Sequence, residues 1–193
     1  MSSQPVIVIG AGVIGLTVAN KLLQSTCYDV TVVAEHIPGT IFSASMRSPK
    51  WASPWAGAHW RAWSSNEDKP LQQMEIQTYN EMLDLAVNEP ESGISTATGI
   101  DLYENLTENP WYSTMLPPGV SHGIQYTTLV INVPKYLLYL KTKFTDAGGK
   151  ITFKDASSAK QFYVVHCYGH AGYGYQSSLA FAKRVCELVD EAA

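Results

Sequence analysis

The residues best placed to do chemistry stand near the N-terminus. Gly10-x-Gly12-x-x-Gly15 follows the β-branched run Val6-Ile-Val-Ile9, and a helix-like pattern starts at once with Val13-Ile-Gly-Leu-Thr-Val-Ala19. A strand, turn and helix of this kind can bind a dinucleotide through its pyrophosphate. Gly10 permits the tight turn. Gly12 leaves the backbone open to a phosphate, and Gly15 lets helix and strand pack closely. Unpaired N–H groups and the positive end of the helix dipole then face the phosphates. The glycine spacing alone is common in turns. Here a second β-rich run, Tyr28-Asp-Val-Thr-Val-Val-Ala34, completes the unit, and Glu35 lies 20 residues after Gly15. A carboxylate at that place accepts hydrogen bonds from a ribose. The competing reading is an ordinary strand–helix–strand with no ligand.

The elements that must position these residues follow from periodicity. A strand is expected at 5–9, a helix over 13–25 with Leu16, Ala19, Leu22 and Leu23 on one face, and a second strand at 28–34. Residues 40–65 lack either period but carry Trp51, Trp55 and Trp60 beside the small Ala56-Gly57-Ala58. Such a loop either covers a core with its tryptophans or walls a planar ligand; composition favours the first. A helix is expected over 67–87. Residues 89–119, rich in Gly, Pro, Ser, Thr and Asn, read as loops with one short strand at Ile100–Glu104. A second strand–helix–strand unit then runs from Gly123–Ile131 through a helix opened by Pro134 and stopped by Gly148-Gly149 to Ile151–Phe153. Asp155–Lys160 reads as a linker, Phe162–Cys167 as an apolar strand, and Tyr168–Ser178 as a Gly/Tyr turn. The closing helix buries Ala182, Val185, Cys186 and Val189. The fold class is α/β: a Rossmann-like parallel sheet flanked by helices. It is read as a single domain over 1–193, with core 1–88, 123–154 and 161–193 and a cap remnant at 89–122.

Composition narrows the partners. The 193 residues are 46% hydrophobic and 16% charged, with a net charge of -4 and no basic run. That argues against nucleic acid and anionic membrane surfaces. No apolar run is long enough to span a bilayer, and the N-terminus lacks a secretory pattern. Cys27, Cys167 and Cys186 are odd in number and lack zinc or redox spacing, so buried free thiols in a reducing compartment are expected. A cytoplasmic location is the resulting expectation. No metal-ligand or Ser/His/Asp constellation stands out, and the scattered carboxylates read as helix-surface charges.

Four segments together resemble the D-amino-acid oxidases and D-aspartate oxidases, especially the fungal members. They are Val6–Leu16, Ala52-Ser-Pro-Trp-Ala-Gly-Ala-His-Trp60, Gly123–Phe153 with its Val133-Pro-Lys-Tyr136, and Val164-Val-His-Cys-Tyr-Gly-His-Ala-Gly-Tyr-Gly174. The resemblance implies noncovalently bound FAD. Gly10, Gly12, Val13, Ile14 and Gly15 would hold its pyrophosphate, and Glu35 the adenosine ribose, with His36 close by. Arg47 and Ser48 would lie near the phosphates. Ala56, Gly57 and Ala58 would line the flavin edge. Gly172, Gly174, Tyr175 and Gln176 would face the pyrimidine side of the ring, where donors stabilise charge on reduced flavin. The tryptophan loop thereby becomes a ligand wall.

The departures from the family matter as much. The chain passes from Ile151–Phe153 to the last strand without the further Rossmann strand, most of the substrate domain, or the Gly-Leu-Arg-Pro-like segment whose arginine grips the substrate carboxylate. Arg47, Arg61 and Arg184 are the only arginines. Arg184 belongs on a solvated helix, Arg47 near phosphate, and Arg61 is the one conceivable replacement. His59 could lie near the flavin, whereas His166 and His170 read as core and turn residues. No catalytic residue is therefore assigned. The expectation is an FAD-binding module with D-amino-acid oxidation lost. The alternative is a residual FAD-dependent oxidase giving hydrogen peroxide from D-amino acids or other small reductants. The family is usually peroxisomal through a C-terminal address, which Asp190-Glu-Ala-Ala193 does not match. With the skipped strand absent, residues 162–167 are expected beside 5–9, and segment 95–132 as a reduced sheet or cap over the flavin.

Overall fold

A computed structural model describes residues 3–39, 51–102, 123–153, 165, 167 and 174–192. Strand β1 (Gln4–Ile9) runs parallel to β2 (Tyr28–Val33), which runs parallel to the short β5 (Lys150–Thr152), in the order β1-β2-β5. The β-branched runs of the first two strands suit this sheet, since the helical crossover between them covers one face. Val30 and Val32 are fully buried on that face. Helix α1 (Val13–Leu23) packs on β2 through Leu16, Ala19 and Leu22. It lies against both α3 (Val133–Asp146) and α4 (Ser178–Ala192). The Asn20 amide ties α1 to α3 by donating to the carbonyl oxygens of Leu16 and Leu140, each at 2.8 Å. Among the described residues β1 has β2 as its one strand neighbour, and Ile7 and Ile9 are 53% and 65% exposed.

The middle of the chain departs from its sequence reading. Strand β3 spans Ile94–Leu102, so it overlaps the short strand expected at 100–104 but starts well before it, and it pairs antiparallel with β4 (Gly123–Ile131) in a separate sheet. Residues 123–131 therefore do not join the parallel sheet as the first arm of a second strand–helix–strand unit. Ser95, Thr96 and Thr98 are exposed along β3, so its composition imitates a loop while the strand pairs with β4 along its whole length. A third short piece joins β4 on its other side: Trp60 N–H donates to the Leu129 carbonyl at 2.7 Å, and Ile131 N–H to that of Ala58 at 2.9 Å. The strand expected at 162–167 lies outside the described residues except for Val165 and Cys167, which are partly buried against the core and carry no strand assignment.

Helix α2 (Lys69–Asn88) opens on Asp68, whose carboxylate accepts the Leu71 N–H at 3.1 Å, and α3 opens on Asn132, which accepts the Lys135 N–H at 3.2 Å. The buried stripe of α2 is polar: Gln72, Glu75, Thr78 and Tyr79, closed by Met82. Glu75 is fully buried, so reading every carboxylate as a surface charge fails here. It accepts the N–H groups of Trp63 and Ser64 at 2.9 and 3.3 Å and the Ser64 hydroxyl at 2.6 Å. These donors offset the cost of burying the carboxylate and fasten residues 63–64 to the helix. Among the described residues no helix is long and apolar enough to cross a membrane.

The thiols also differ in part from expectation: Cys27 is exposed, while Cys167 and Cys186 are partly buried. Burial pushes the Cys186 thiol up to about 11, so it stays protonated at neutral pH. Next to Cys27, the Tyr28 hydroxyl donates to Asp190 across the β2–α4 seam. That bond is the main cause pushing Tyr28 from 10.0 up to about 12. The folded state thus holds the Tyr28 proton more tightly than the unfolded chain does. The resulting stabilisation is complete below pH 10 and lost as pH rises from 10 towards 12. Urea melts across that range should show Tyr28→Phe losing stability with pH less steeply than the parent chain.

Candidate functional site

The glycine motif builds the site. Gly10 has φ +97, a left-handed turn that a side chain rarely adopts, and its N–H donates to the Val33 carbonyl at 2.8 Å. This bond holds the turn at the ends of β1 and β2. A Cβ on Gly15 would stand 2.0 Å from the Gly10 carbonyl oxygen, so only glycine lets α1 start this close to β1. Gly12 is the N-cap and supplies no side chain, leaving the first turn uncapped from within its own sequence. The N–H groups of Gly12, Ile14 and Gly15 meet no acceptor among the described residues. The space over Gly10 is open, with nothing within 4 Å of its Cβ direction.

One donor is already engaged. Val13 N–H donates to Ser53 Oγ at 3.2 Å, so Val13 does not offer a free amide as the motif implies. Ser53 opens a one-turn 3-10 segment, Ser53–Trp55, and comes from 40 residues away, which no local pattern could announce. It caps α1 in trans, a contact worth about 1 kcal/mol at a helix N-terminus. Ser53→Ala should lower the urea unfolding free energy of the ligand-free chain by about that amount.

The tryptophan loop and the C-terminal turn meet at the same mouth. The Tyr175 hydroxyl donates to the Ser53 carbonyl at 3.0 Å, and its ring lies against Tyr136 at 6.3 Å between centroids. Burial pushes the Tyr175 hydroxyl well above its ordinary value, so it stays a donor. Gln176 Nε2 donates to the Arg61 carbonyl at 2.7 Å, while its Oε1 is buried and unpartnered. Gly174 stands beside Val13, with its Cβ direction 4.0 Å from Val13 Cγ1. Trp51 and Trp60 are buried, whereas Trp55 is 62% exposed. Ala56 and Ala58 are partly buried, and Gly57 is exposed with open space about it.

The remaining assignments fall as follows. Glu35 is exposed, two residues past the end of β2, and His36 is half-buried with its ring 5.9 Å from that of Trp51. Arg47, Ser48, Gly172, His166 and His170 lie outside the described residues. Backbone pairing with Val130 holds the exposed His59. Arg61 forms an ion pair with Asp101 at 3.3 Å and stands over the Trp63 ring at 5.5 Å. Arg184 is paired along α4 with Glu187 and Glu191. Among the described residues the glycine turn, Ser53 and Gly174–Gln176 thus converge, and Arg61 is committed to a carboxylate of the chain itself. No group of three or more metal-ligating side chains is found among the described residues.

Comparison with known proteins adds the family context. The profile of the DAO family, described as FAD dependent oxidoreductase, matches residues 5–162. A D-aspartate oxidase of Cryptococcus neoformans is 30% identical over 156 residues, covering 70% of this chain and 38% of the relative. A D-amino-acid oxidase of Schizosaccharomyces pombe is 31% identical over 171 residues, covering 81% and 47%. The chain thus spans less than half the length of these relatives. Among solved structures, a glycine oxidase from Bacillus cereus aligns with a TM-score of 0.51 at 15% identity, over 79% of this chain and 46% of that one. At that identity the likeness shows the fold, which is Rossmann-like.

Proposed function

We propose, for a chain that belongs to the DAO family of FAD-dependent oxidoreductases, that it is an FAD-binding module which, as this 193-residue chain, does not turn over D-amino acids. The observation that carries the reading is the set of unaccepted N–H groups of Gly12, Ile14 and Gly15 at one helix end. Backbone donors of this kind, backed by the helix dipole, suit a pyrophosphate. Glu35 follows β2 where an adenosine ribose would lie, and the open surroundings of Gly57 leave room for a ring edge. When bound, FAD supplies the hydride-accepting and oxygen-reducing chemistry. The residues of this chain bind it, orient it and cover its phosphates.

Both arginines among the described residues are held by carboxylates of the chain itself. A D-amino acid presents a carboxylate, best held by a preorganised bidentate guanidinium. Arg61 is paired with Asp101, and Arg184 is exposed on the far helix with two glutamates. A carboxylate approaching Arg61 would have to displace Asp101 or share the cation with it.

A titration of FAD into the purified chain, followed by quenching of flavin fluorescence, tests the binding. Saturable quenching and a visible flavin band on the isolated protein are expected. Addition of D-alanine or D-aspartate should then release no peroxide above the rate of free FAD. A chain that ignores FAD defeats the binding reading, and turnover well above free flavin defeats the inference from the arginines.

A further inference from the structure

We propose that the indole N–H of Trp51 is a phosphate donor at the first turn of α1, a ligand from outside the glycine motif. The proposal rests on the FAD reading above and deepens it. Trp51 is only 7% exposed, yet its Nε1 has no hydrogen-bond partner. A buried N–H without an acceptor is costly, and native structures keep few of them without a reason. Its position supplies the reason. Nε1 is the indole atom nearest to where a Cβ on Gly12 would stand, at 3.9 Å. Gly12 is the N-cap of α1, so the indole N–H converges with the free amides of the first turn.

The donor count supports the same conclusion. Ser53 Oγ takes the Val13 N–H and stands 2.7 Å from that same Gly12 Cβ direction. One backbone donor is therefore withdrawn from the mouth, and one side-chain donor two residues before Ser53 replaces it. The Trp51 ring is set by contact with His36, just past β2, at a tilt of 46°. An indole N–H bound to a phosphate oxygen is charge-assisted, and stronger than the same bond to a neutral acceptor.

Trp51→Phe keeps an aromatic ring and removes the donor. Calorimetric titration with FAD and with ADP, which shares the pyrophosphate but lacks the flavin, should show roughly tenfold weaker binding of both to the variant. Equal affinities for parent and variant overturn the proposal and leave the FAD reading standing. Loss of FAD affinity alone, with ADP unchanged, also overturns it, because the indole would then be acting on the flavin. A parent chain that binds neither ligand defeats the FAD reading itself, and this proposal with it. A second measurement needs no variant. In the parent chain the Trp51 indole resonance, assigned through its contact with His36, should move downfield with ADP and stay in place with adenosine. A resonance indifferent to ADP overturns the proposal.

Discussion

Gly15→Ala should unfold the chain at markedly lower urea and lower its affinity for FAD by on the order of a hundredfold. The new methyl would stand 2.0 Å from the Gly10 carbonyl oxygen and 3.0 Å from its carbon. Both are backbone atoms of a turn pinned to Val33, so no side-chain rotation relieves the clash. The start of α1 must retreat from β1. The retreat costs about 3 kcal/mol of packing, at the upper end for an overpacked site. It also swings the N–H groups of Ile14 and Gly15 out of line, and two lost bonds to a charged oxygen account for the affinity. Gly57→Ala makes the contrast: nothing lies within 4 Å of the added methyl, so the ligand-free chain should keep its urea midpoint. If Gly15→Ala melts like the parent, the close approach of helix and strand is not what the sheet depends on.

Glu75→Ala should be comparably damaging from a position with no part in binding. Its carboxylate is the shared acceptor for two backbone N–H groups and one hydroxyl, all on residues 63 and 64. Removing it takes the acceptor from the buried Ser64 donors and leaves a cavity where the fully buried side chain stood, at a cost of about 3 kcal/mol. Glu75→Gln should fall between, since the amide keeps one acceptor but turns an NH2 towards the others. Chemical denaturation of the three chains measures the order. Flavin affinity should follow it, because residues 58–61 lie just before the fastened pair and meet both β4 and Gln176.

Much of the frame was legible from residue order. The β1–α1–β2 unit shows in two β-branched runs joined by a glycine turn and a helix-like apolar period. Helix α3 shows in Asn132 and Pro134, a capping acceptor and a residue suited to a first turn. Strand β3 was hidden because Ser95, Thr96 and Thr98 face solvent and mimic a loop. Burial of Glu75 is hidden for a related reason: periodicity counts a carboxylate as surface, and only its three tertiary donors make burial tolerable. The contact of Ser53 with Val13 spans 40 residues, and Trp51 comes near Gly12 over a similar separation, so spacing along the chain cannot register either. Arg61 reads from sequence as a conceivable substrate grip, but its counter-ion Asp101, on β3, is 40 residues away and shows only in the fold.

The seam between α1 and α4 bears on how the protein is made. The first strand–helix–strand leaves the ribosome early, but the helix that shields α1 consists of residues 178–192 and emerges much later. Until then the outer side of α1 has no cover, and Tyr28 waits for an acceptor 162 positions downstream. Docking of α1 and α4 must therefore wait for those residues, and it closes a loop of 162 positions, which is slow compared with local helix formation. A nascent chain stalled before α4 should remain sensitive to protease and a client for chaperones.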